Sequence, residues 1–284
     1  MSDPILTKQH ENILEIGINR PEAYNALNLD VMMMLSDALA SAATDESIKG
    51  IMITGKGKAF CSGGDLKWIS QQTGDAGSTL HRLAPQFHIA ITEIRRMGKP
   101  VVAAINGIAA GGGFSLALAC DFRVMAESTI LRQAYTSSGL RIDGGGTFAL
   151  PRLVGLARAL EIAAFDQPIS AAQALAWGLV TKVVPDEKVA EESLSMLQGL
   201  AKSALHSFAW SKRLLTESLN NTLETQLELE RQGISDCARH PNGQEASKRS
   251  LKNANQFFEN PRSLDIQYDQ TRHPIRHPWK STRP

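Results

Sequence analysis

Two glycine-rich turns, each directly after a short apolar run, constrain this chain more than any other feature. The first, residues 59–66 (AFCSGGDL), follows the run 51–54, and the second, residues 106–114 (NGIAAGGGF), follows the wholly apolar run 101–105. Glycine lets another group approach the backbone closely, and free N–H groups at a helix start carry a partial positive charge suited to an oxyanion. The pattern predicts backbone donors at a binding site. Two tight packing loops are the alternative that the local pattern leaves open.

The rest of the pattern is typical of an α/β protein, because short β-forming runs alternate with helical stretches. Strands are predicted at 13–18, 51–54, 101–105 and 122–126. Asn28 is placed to cap a helix whose apolar residues recur at helical spacing: Val31, Leu35, Ala38, Leu39 and Ala42. From about Pro151 onward, Ala-, Leu- and Glu-rich segments predict helices within 157–164, 171–177, 189–204 and a long stretch at 211–238.

Composition along the chain divides it into three parts. Residues 1–200 form the predicted strand-and-helix core, residues 201–260 a helical region, and residues 261–284 a basic tail punctuated by proline. At about 150 residues per domain, 284 residues make one large domain or two smaller ones. We expect the tail to be poorly packed or to lie on a neighbouring subunit.

Overall composition excludes several classes of protein. A hydrophobic content of 43% with 21% charged residues excludes a disordered chain. Lys+Arg 30 against Asp+Glu 29 gives a net charge of +1, which argues against nucleic acid as a partner. No stretch approaches the ~18 apolar residues of a membrane span, and the first residues lack a secretory pattern, so we expect a cytoplasmic protein without a membrane partner. Cys61, Cys120 and Cys237 are too widely spaced for a disulfide framework or a structural zinc site.

Three familiar glycine motifs do not fit the second turn. A dinucleotide-binding loop needs G-x-G-x-x-G, and no third glycine stands in register after Gly113. A phosphate-binding loop needs G-K-[ST] after its glycines, where this chain has Phe114 and Ser115. The run 113–117 (GFSLA) approaches the G-x-S-x-G of a nucleophilic serine, but alanine replaces its last glycine. Ser115 would also lie inside a helix, which disfavours a serine nucleophile.

The two turns belong to an ordered set of short motifs that resembles the crotonase superfamily, the enoyl-CoA hydratases and isomerases, over roughly residues 5–260. The set consists of 19–21 (NRP), 25–27 (NAL), 60–66 (FCSGGDL), 99–107 (KPVVAAING), 111–113 (GGG), 119–121 (ACD), 144–147 (GGGT), 151–155 (PRLVG) and 176–180 (AWGLV). One such motif would be weak, whereas the ordered set is specific. Around residues 151–160 the chain is most similar to the epoxyphenylacetyl-CoA isomerases.

The resemblance implies an α/β crotonase fold, in which repeated ββα units form a spiral of two stacked sheets and C-terminal helices assemble homotrimers or hexamers. It implies an acyl-CoA thioester as ligand, with coenzyme A entering as part of the substrate and with no metal or redox cofactor. By motif position, the backbone N–H groups of Gly64 and Gly112 would form an oxyanion hole, each donor contributing ~3–4 kcal/mol. The substrate would lie along these and neighbouring motif positions: Ala23, Asn25, Ala59, Gly63, Asp65, Leu66 and Gly111.

The residues after the second turn bear on the reaction. The hydratases that this chain resembles use two glutamates, and their positions fall here on Ser115 and Tyr135. A hydroxyl is far too weakly basic near neutral pH to replace a carboxylate, so hydration by the paired-glutamate route is not expected. Asp143, followed by three glycines, stands where the resemblance places the working aspartate of certain acyl-CoA isomerases and of the halobenzoyl-CoA dehalogenases. The alternative for Asp143 is a turn residue that caps the following helix.

We therefore predict an acyl-CoA isomerase in which Asp143 shuttles a proton and Tyr135 orients Asp143 or lines the acyl pocket. Dehalogenation is the first rival, because His88 stands where the resemblance places a water-activating histidine; hydrolysis or hydration by the same residues is a variant of it. The alternative for His88 is an ordinary helix residue. A non-catalytic acyl-CoA-binding protein is a second rival, since both glutamates are missing. Arg141 and Ile142 replace the Val-Pro that is usual before the aspartate in the isomerases that this chain resembles. We expect residues 69–87 and the C-terminal helices to shape the pocket, and the sequence does not identify the acyl group of the substrate.

Overall fold

The computed structural model of the chain describes residues 3–259, with side-chain environments through residue 250. Residue contacts divide the chain into two units, the first ending at Gly233 and the second beginning at Ile234. The strands of the described residues all belong to the first unit: β1 (Ile5–His10), β2 (Ile13–Ile18), β3 (Gly50–Gly55), β4 (Ala59–Cys61), β5 (Val101–Ile105), β6 (Ile108–Ala110), β7 (Phe122–Ala126), β8 (Ile130–Arg132), β9 (Ile169–Ser170) and β10 (Lys182–Val184).

The helices follow the strands along the chain and become dominant after residue 145. They are α1 (Leu29–Thr44), α2 (Leu66–Ser70), α3 (Ala76–Arg96), α4 (Gly112–Ala119), α5 (Gly146–Phe165), α6 (Ala171–Ala176), α7 (Val189–Ala201), α8 (Leu205–Glu217), α9 (Leu223–Arg239) and α10 (Pro241–Glu259). Within residues 3–259, no helix has both the length and the apolar character needed to cross a bilayer.

Two sheets form the framework of the first unit. The larger has the strand order β1-β2-β3-β5-β7-β10, and the smaller has the order β4-β6-β8-β9. Pairing in the larger sheet is parallel except between β1 and β2. In the smaller sheet, β4, β6 and β8 are parallel and β9 is antiparallel to β8.

A ββα unit is repeated three times in succession. β3, β5 and β7 lie in the larger sheet, and the strand that follows each of them lies in the smaller sheet and leads to a helix. The predicted α/β fold of repeated ββα units is thus confirmed. β4 and β6 lie within the two glycine-rich turns and are adjacent and parallel. The glycines that follow them, at 63–64 and 111–113, therefore leave the smaller sheet at the same end.

The central strand β5 is buried along its whole length, as its apolar sequence predicted. Its residues alternate between two hydrophobic clusters: Val101, Ala103 and Ile105 belong to one, and Val102 and Ala104 to the other. This alternation follows from the two-residue period of a strand covered on both faces. The strand that leads to the second turn is therefore held rigidly by packing on both sides.

Most predicted elements agree with the structure, and the differences have physical causes. The four predicted strands are present, and the Asn28 side chain caps α1 by accepting from the N–H of Val31 at 3.0 Å. The strands of the smaller sheet, two or three residues long, were not predicted because such lengths show no periodicity. The stretch 211–238 is not one helix, since α8 ends at Glu217 and α9 begins at Leu223.

A buried ion pair fixes α8 to the strand-and-helix core. Lys212 Nζ lies 2.8 Å from Asp121 Oδ2 and also donates to the backbone oxygens of Ile94 and Lys99. Burial lowers the pKa of Lys212, and the charge of Asp121 opposes that effect. Part of the predicted helical region 201–260 therefore packs with the core, within the unit that ends at Gly233. The predicted tail 261–284 lies outside the described residues, and assembly through the C-terminal helices stays a prediction.

Candidate active site

A cavity of about 660 Å³ opens in the first unit between α3 and the two glycine-rich turns. Much of its wall is apolar and comes from Leu27, Met32, Ile69, Leu80, Leu83 and Phe87. Polar groups enter it from His88, Tyr135, Arg141 and Asp143. The predicted contribution of residues 69–87 is confirmed. Among the described residues, none beyond Asp143 lines the cavity, and a contribution of the C-terminal helices stays a prediction.

Close backbone contact joins the two glycine-rich turns. A Cβ on Gly113 would stand 2.0 Å from the carbonyl oxygen of Cys61, so only glycine allows α4 to begin this close to β4. Gly63 has a φ of +100°, and the space for its Cβ lies 3.1 Å from the nitrogen of Gly112. The turns are thus packed on each other, and this packing is what brings Gly64 and Gly112 into one cavity.

Gly64 and Gly112 present backbone N–H groups that have no protein acceptor among the described residues. Leu27 holds the first turn, because its N–H donates to Gly63 O at 2.7 Å and its O accepts from Asp65 N–H at 3.0 Å. Gly112 is the first residue of α4, where an N–H has no acceptor within the helix and the helix dipole is positive. The pair can stabilise a negatively charged oxygen placed between them.

Asp143 brings a carboxylate into the same cavity from the loop between β8 and α5. Its Oδ1 lies 3.1 Å from His88 Nε2 and 3.3 Å from Arg141 Nη1. The N-cap of α5 is Gly145, and no side chain caps this helix. The helix-capping interpretation of Asp143 is therefore wrong, and the carboxylate remains available to the cavity.

The Phe87 ring connects the glycine turns with the Asp143 loop. Its Cε1 atom lies 3.7 Å from the Cβ position of Gly112 and 2.2 Å from that of Gly144. One ring atom is therefore near both Gly112 and Gly144, so the first residue of α4 and the loop that carries Asp143 lie on the same aromatic side chain. Gly144 also has a φ of +60°, so a side chain there would both clash with Phe87 and strain the backbone.

His88 and Arg141 flank the Asp143 carboxylate. His88 lies on α3, as the helix interpretation held, but its ring also contacts Asp143 across 55 residues of sequence. A neutral imidazole with its proton on Nε2 would donate to the carboxylate, and the tautomer is set by such partners. From the sequence, Arg141 was noted only as a departure from the usual motif and not as a site residue, although its place two residues before Asp143 was an available signal. Its Nη1 donates to Ile142 O at 2.9 Å as well as to Asp143.

Tyr135 lines the cavity beside Asp143 and packs against the core. Burial raises the pKa of Tyr135 to about 12, and the charge of Asp143 acts in the same direction. Its phenol also interacts with the Ser115 hydroxyl and with the backbone of Asp143. Tyr135 therefore keeps its proton near neutral pH and can donate one hydrogen bond, in agreement with its predicted place next to Asp143.

We expect Tyr135 to stay protonated where exposed tyrosines ionise. Its pKa is raised to about 12, so above an ordinary pKa of about 10 the unfolded chain loses a proton that the folded chain keeps. The stability that this group contributes is complete below about pH 10 and is lost as the pH rises toward the folded pKa. In an ultraviolet titration of tyrosinate, Tyr135→Phe should leave the first ionisation step unchanged and remove a late one. A smaller first step would contradict the assignment.

The predicted substrate-binding residues divide into two groups. Leu66 and Gly111 line the cavity together with Gly64 and Gly112, whereas the other five do not line it: Ala23, Asn25, Ala59, Gly63 and Asp65. The side chain of Asn25 is fully buried and donates to Lys56 O and Ala59 O. Asp65 caps α2 and pairs with Arg20 at 2.8 Å. The side chains of Asn25 and Asp65 therefore hold the first turn in place, and direct contact with a ligand stays a prediction for all five residues.

The described part of the chain contains no cluster of side chains that could form a metal site. Among the described residues, no three His, Cys, Asp or Glu side chains stand together in a way that could hold a metal ion. Cys61 and Cys120 are buried, and burial raises the pKa of each thiol to about 12. Both therefore stay protonated near neutral pH, and a protonated thiol is neither a good nucleophile nor a metal ligand.

Comparison with known proteins identifies the relatives of this chain. The model of the enoyl-CoA hydratase/isomerase family matches residues 8–260. The 1,2-epoxyphenylacetyl-CoA isomerase of Escherichia coli (strain K12) is 34% identical over 235 residues, which cover 81% of this chain and 88% of the relative. The 4-chlorobenzoyl coenzyme A dehalogenase-2 of Arthrobacter sp is 31% identical over 242 residues, covering 84% and 88%. A probable enoyl-CoA hydratase of Rhodobacter capsulatus is 38% identical over 224 residues, covering 78% and 84%.

A solved structure gives the same result for the fold. The crystal structure of an enoyl-CoA hydratase from Polaromonas sp. JS666 superposes with a TM-score of 0.83 at 35% identity, covering 88% of this chain and 97% of that chain. A family match over most of the sequence, relatives above 30% identity and a shared fold together show that this chain belongs to the enoyl-CoA hydratase/isomerase family.

Proposed function

We propose that this protein is an acyl-CoA isomerase that moves a double bond along the acyl chain of a coenzyme A thioester. The observation that carries the proposal is a single carboxylate, Asp143, in the same cavity as the N–H groups of Gly64 and Gly112. The positions that correspond to the two hydratase glutamates hold Ser115 and Tyr135, and neither can serve as a base near neutral pH. One carboxylate is sufficient to carry a proton between two carbons.

In the proposed reaction, the thioester oxygen of a 3-enoyl-CoA accepts hydrogen bonds from Gly64 and Gly112. Asp143 removes a proton from C2, and the electron pair of the broken C–H bond spreads over a dienolate whose charge rests on the thioester oxygen. Asp143 then returns the proton to C4, and the double bond moves from C3–C4 to C2–C3. Atoms and electrons balance without a metal or redox cofactor, because nothing is oxidised or reduced and two N–H groups stabilise the charge.

The groups around Asp143 suit this role. His88 and Arg141 both contact Oδ1, which leaves Oδ2 as the oxygen that handles the substrate proton. The protonated phenol of Tyr135 interacts with the backbone of Asp143 and orients the loop without competing as a base. The apolar wall around Leu80, Leu83 and Phe87 suits an acyl chain.

Turnover of 3-enoyl-CoA thioesters tests the proposal. We expect the wild-type protein to form the conjugated 2-enoyl-CoA, which absorbs more strongly in the ultraviolet than the unconjugated substrate. The panel should include short, long and aryl-bearing chains, because the acyl group is open. Binding of these thioesters without conversion of any of them would overturn the isomerase and favour a non-catalytic acyl-CoA-binding protein.

Dehalogenation is the second candidate, and one contact favours it. His88 Nε2 lies 3.1 Å from Asp143 Oδ1, so an imidazole that could activate water stands beside a carboxylate that could attack an aromatic ring. A relative of 31% identity is named as a 4-chlorobenzoyl coenzyme A dehalogenase. Chloride release from 4-chlorobenzoyl-CoA, with no conversion of 3-enoyl-CoAs, would place this candidate ahead of the isomerase.

We also propose assembly into trimers, or hexamers formed from two of them. Support comes from large apolar side chains that a single first unit leaves exposed on its helices: Leu156, Leu160, Phe165, Leu215, Leu223 and Leu227. Leu156 and Leu160 are four residues apart on α5, and Leu223 and Leu227 are four apart on α9, so each pair shares an exposed helix face. Neighbouring exposed apolar side chains are typical of interaction surfaces. Light scattering should give three or six times the chain mass of 30.8 kDa, and a monomer would contradict the proposal.

A further inference from the structure

The hydroxyl of Ser115 is the one polar side-chain group on an otherwise apolar, wholly buried helix, α4. Ser115 is 1% exposed, and a buried hydroxyl without a partner costs free energy. Its function is not explained by nucleophilic attack, because Ser115 does not line the cavity. The hydrogen-bond partner of the Ser115 hydroxyl therefore indicates what this residue does.

Ser115 differs in this respect from Ser193, another buried helical serine. Ser193 Oγ donates to Val189 O, four residues earlier in its own helix, at 2.7 Å. Ser115 Oγ instead donates to Asp143 O, 28 residues away, at 2.6 Å. The corresponding oxygen in its own helix, Gly111 O, already accepts from Ser115 N–H. The Ser115 side chain therefore forms a cross-link between two separate segments.

The segment that Ser115 holds contains three consecutive glycines, Gly144, Gly145 and Gly146. Gly144 and Gly145 have φ values of +60° and +74°, and glycine has more backbone freedom than any other residue. A Cβ on Gly146 would stand 2.8 Å from Ser115 Oγ, so the loop packs directly on the hydroxyl. Asp143 O also accepts from Gly146 N–H at 3.1 Å, which closes the turn but does not attach it to the rest of the protein.

The two segments that Ser115 joins carry the two halves of the proposed reaction. α4 begins with Gly112, whose N–H faces the thioester oxygen in that proposal, and the loop carries the Asp143 carboxylate. We propose that Ser115 is a positioning residue, whose hydroxyl sets the separation between the oxyanion donor and the proton carrier. This inference rests on the proposed isomerase and adds the residue that aligns its parts. A misplacement of about 1 Å in such a site can cost on the order of 100-fold in rate.

Steady-state kinetics on 3-enoyl-CoA with Ser115→Ala test the inference. Ser193→Ala is the matched control, because it removes a buried helical hydroxyl from α7, a helix that does not line the cavity. We expect Ser115→Ala to lower kcat by roughly 10- to 100-fold. Its KM and the binding of butyryl-CoA, a saturated thioester, should stay near wild type. Ser193→Ala should leave kcat unchanged. Ser115→Cys replaces the hydroxyl with a slightly larger and weaker donor. It should fall between wild type and alanine, and it serves if the alanine variant does not fold.

A double variant separates positioning from a general structural effect. If Ser115 acts through Asp143, then Ser115→Ala should cause no further loss of kcat in an Asp143→Asn background, because coupled residues are not additive. A wild-type kcat in both Ser115→Ala and Ser115→Cys would overturn the inference while leaving the isomerase intact. So would a Ser115→Ala substitution that lowers kcat by the same factor in the wild-type and the Asp143→Asn backgrounds. A wild-type protein that does not convert 3-enoyl-CoA, or full activity in Asp143→Asn, would instead overturn the proposed function and this inference with it.

Discussion

Asp143→Asn is expected to lower kcat for 3-enoyl-CoA isomerisation by about 10³-fold, within the range for losing a general acid–base group. The amide keeps the shape of the carboxyl side chain and can still contact His88 and Arg141, but it cannot take up the C2 proton. KM should change little, because binding in the proposed reaction rests on the glycine turns and the apolar wall. The measurement is steady-state absorbance of the conjugated product for the variant and the wild type.

The control for this substitution is Asp37→Asn, which removes a carboxylate from the exposed side of α1. It changes net charge by the same amount, and its kcat should equal that of the wild type. A second readout is exchange of the C2 proton with deuterium from solvent, which should be lost in Asp143→Asn along with turnover. Isomerisation that persists at near the wild-type rate in Asp143→Asn would assign the proton transfer to another group.

Gly112→Pro should lower kcat by roughly 10²- to 10³-fold, the loss expected when one oxyanion-hole donor is removed. Proline deletes the backbone N–H, and the first position of a helix is the one where proline is tolerated. Since Gly112 is the first residue of α4, the substitution removes the proposed donor and leaves the helix able to form. The measurement is kcat on the same substrate, together with circular dichroism to verify the fold.

Gly112→Ala is the matched control, because alanine adds the same Cβ and keeps the N–H. That Cβ would stand 3.1 Å from Leu27 Cδ1 and 3.7 Å from Phe87 Cε1, so the flexible end of Leu27 has to shift by a few tenths of an ångström. We expect Gly112→Ala to keep most of the activity that Gly112→Pro loses. Equal losses in the two folded variants would show that steric contact, and not the missing N–H, is responsible.

The predictable part of the fold follows from local pattern. The alternating burial of β5 and the apolar face of α1 arise from periods of two and 3.6 residues, which a sequence displays directly. Asn28 at the start of α1 is a local capping signal and is used as one. The short strands β4, β6 and β8 carry no such period, and they exist because neighbouring strands in the smaller sheet complete their hydrogen bonds.

Motif position predicted some residues of the candidate site correctly, but it did not distinguish residues that line the cavity from residues that support the backbone. Gly64, Gly112, Tyr135 and Asp143 were identified by motif position, and all four line one cavity. Asn25 belongs to an equally clear motif, yet its side chain donates to the backbone of Lys56 and Ala59 and so stabilises the first turn. A motif indicates that a residue type is needed, whereas tertiary contacts decide whether it is needed for a ligand or for the backbone.

By itself, the sequence determined the α/β class and the two glycine-rich turns, because these depend on burial period and local backbone preference. The ordered motifs indicated the family and, through that resemblance, the ββα architecture. The resemblance named His88 as a candidate, but only the tertiary structure decided which side chains contact Asp143. His88 reaches it across 55 residues and Ser115 across 28, and Phe87 contacts both sides of the site. Such contacts are set by how helices pack on the sheets, so no local pattern contains them.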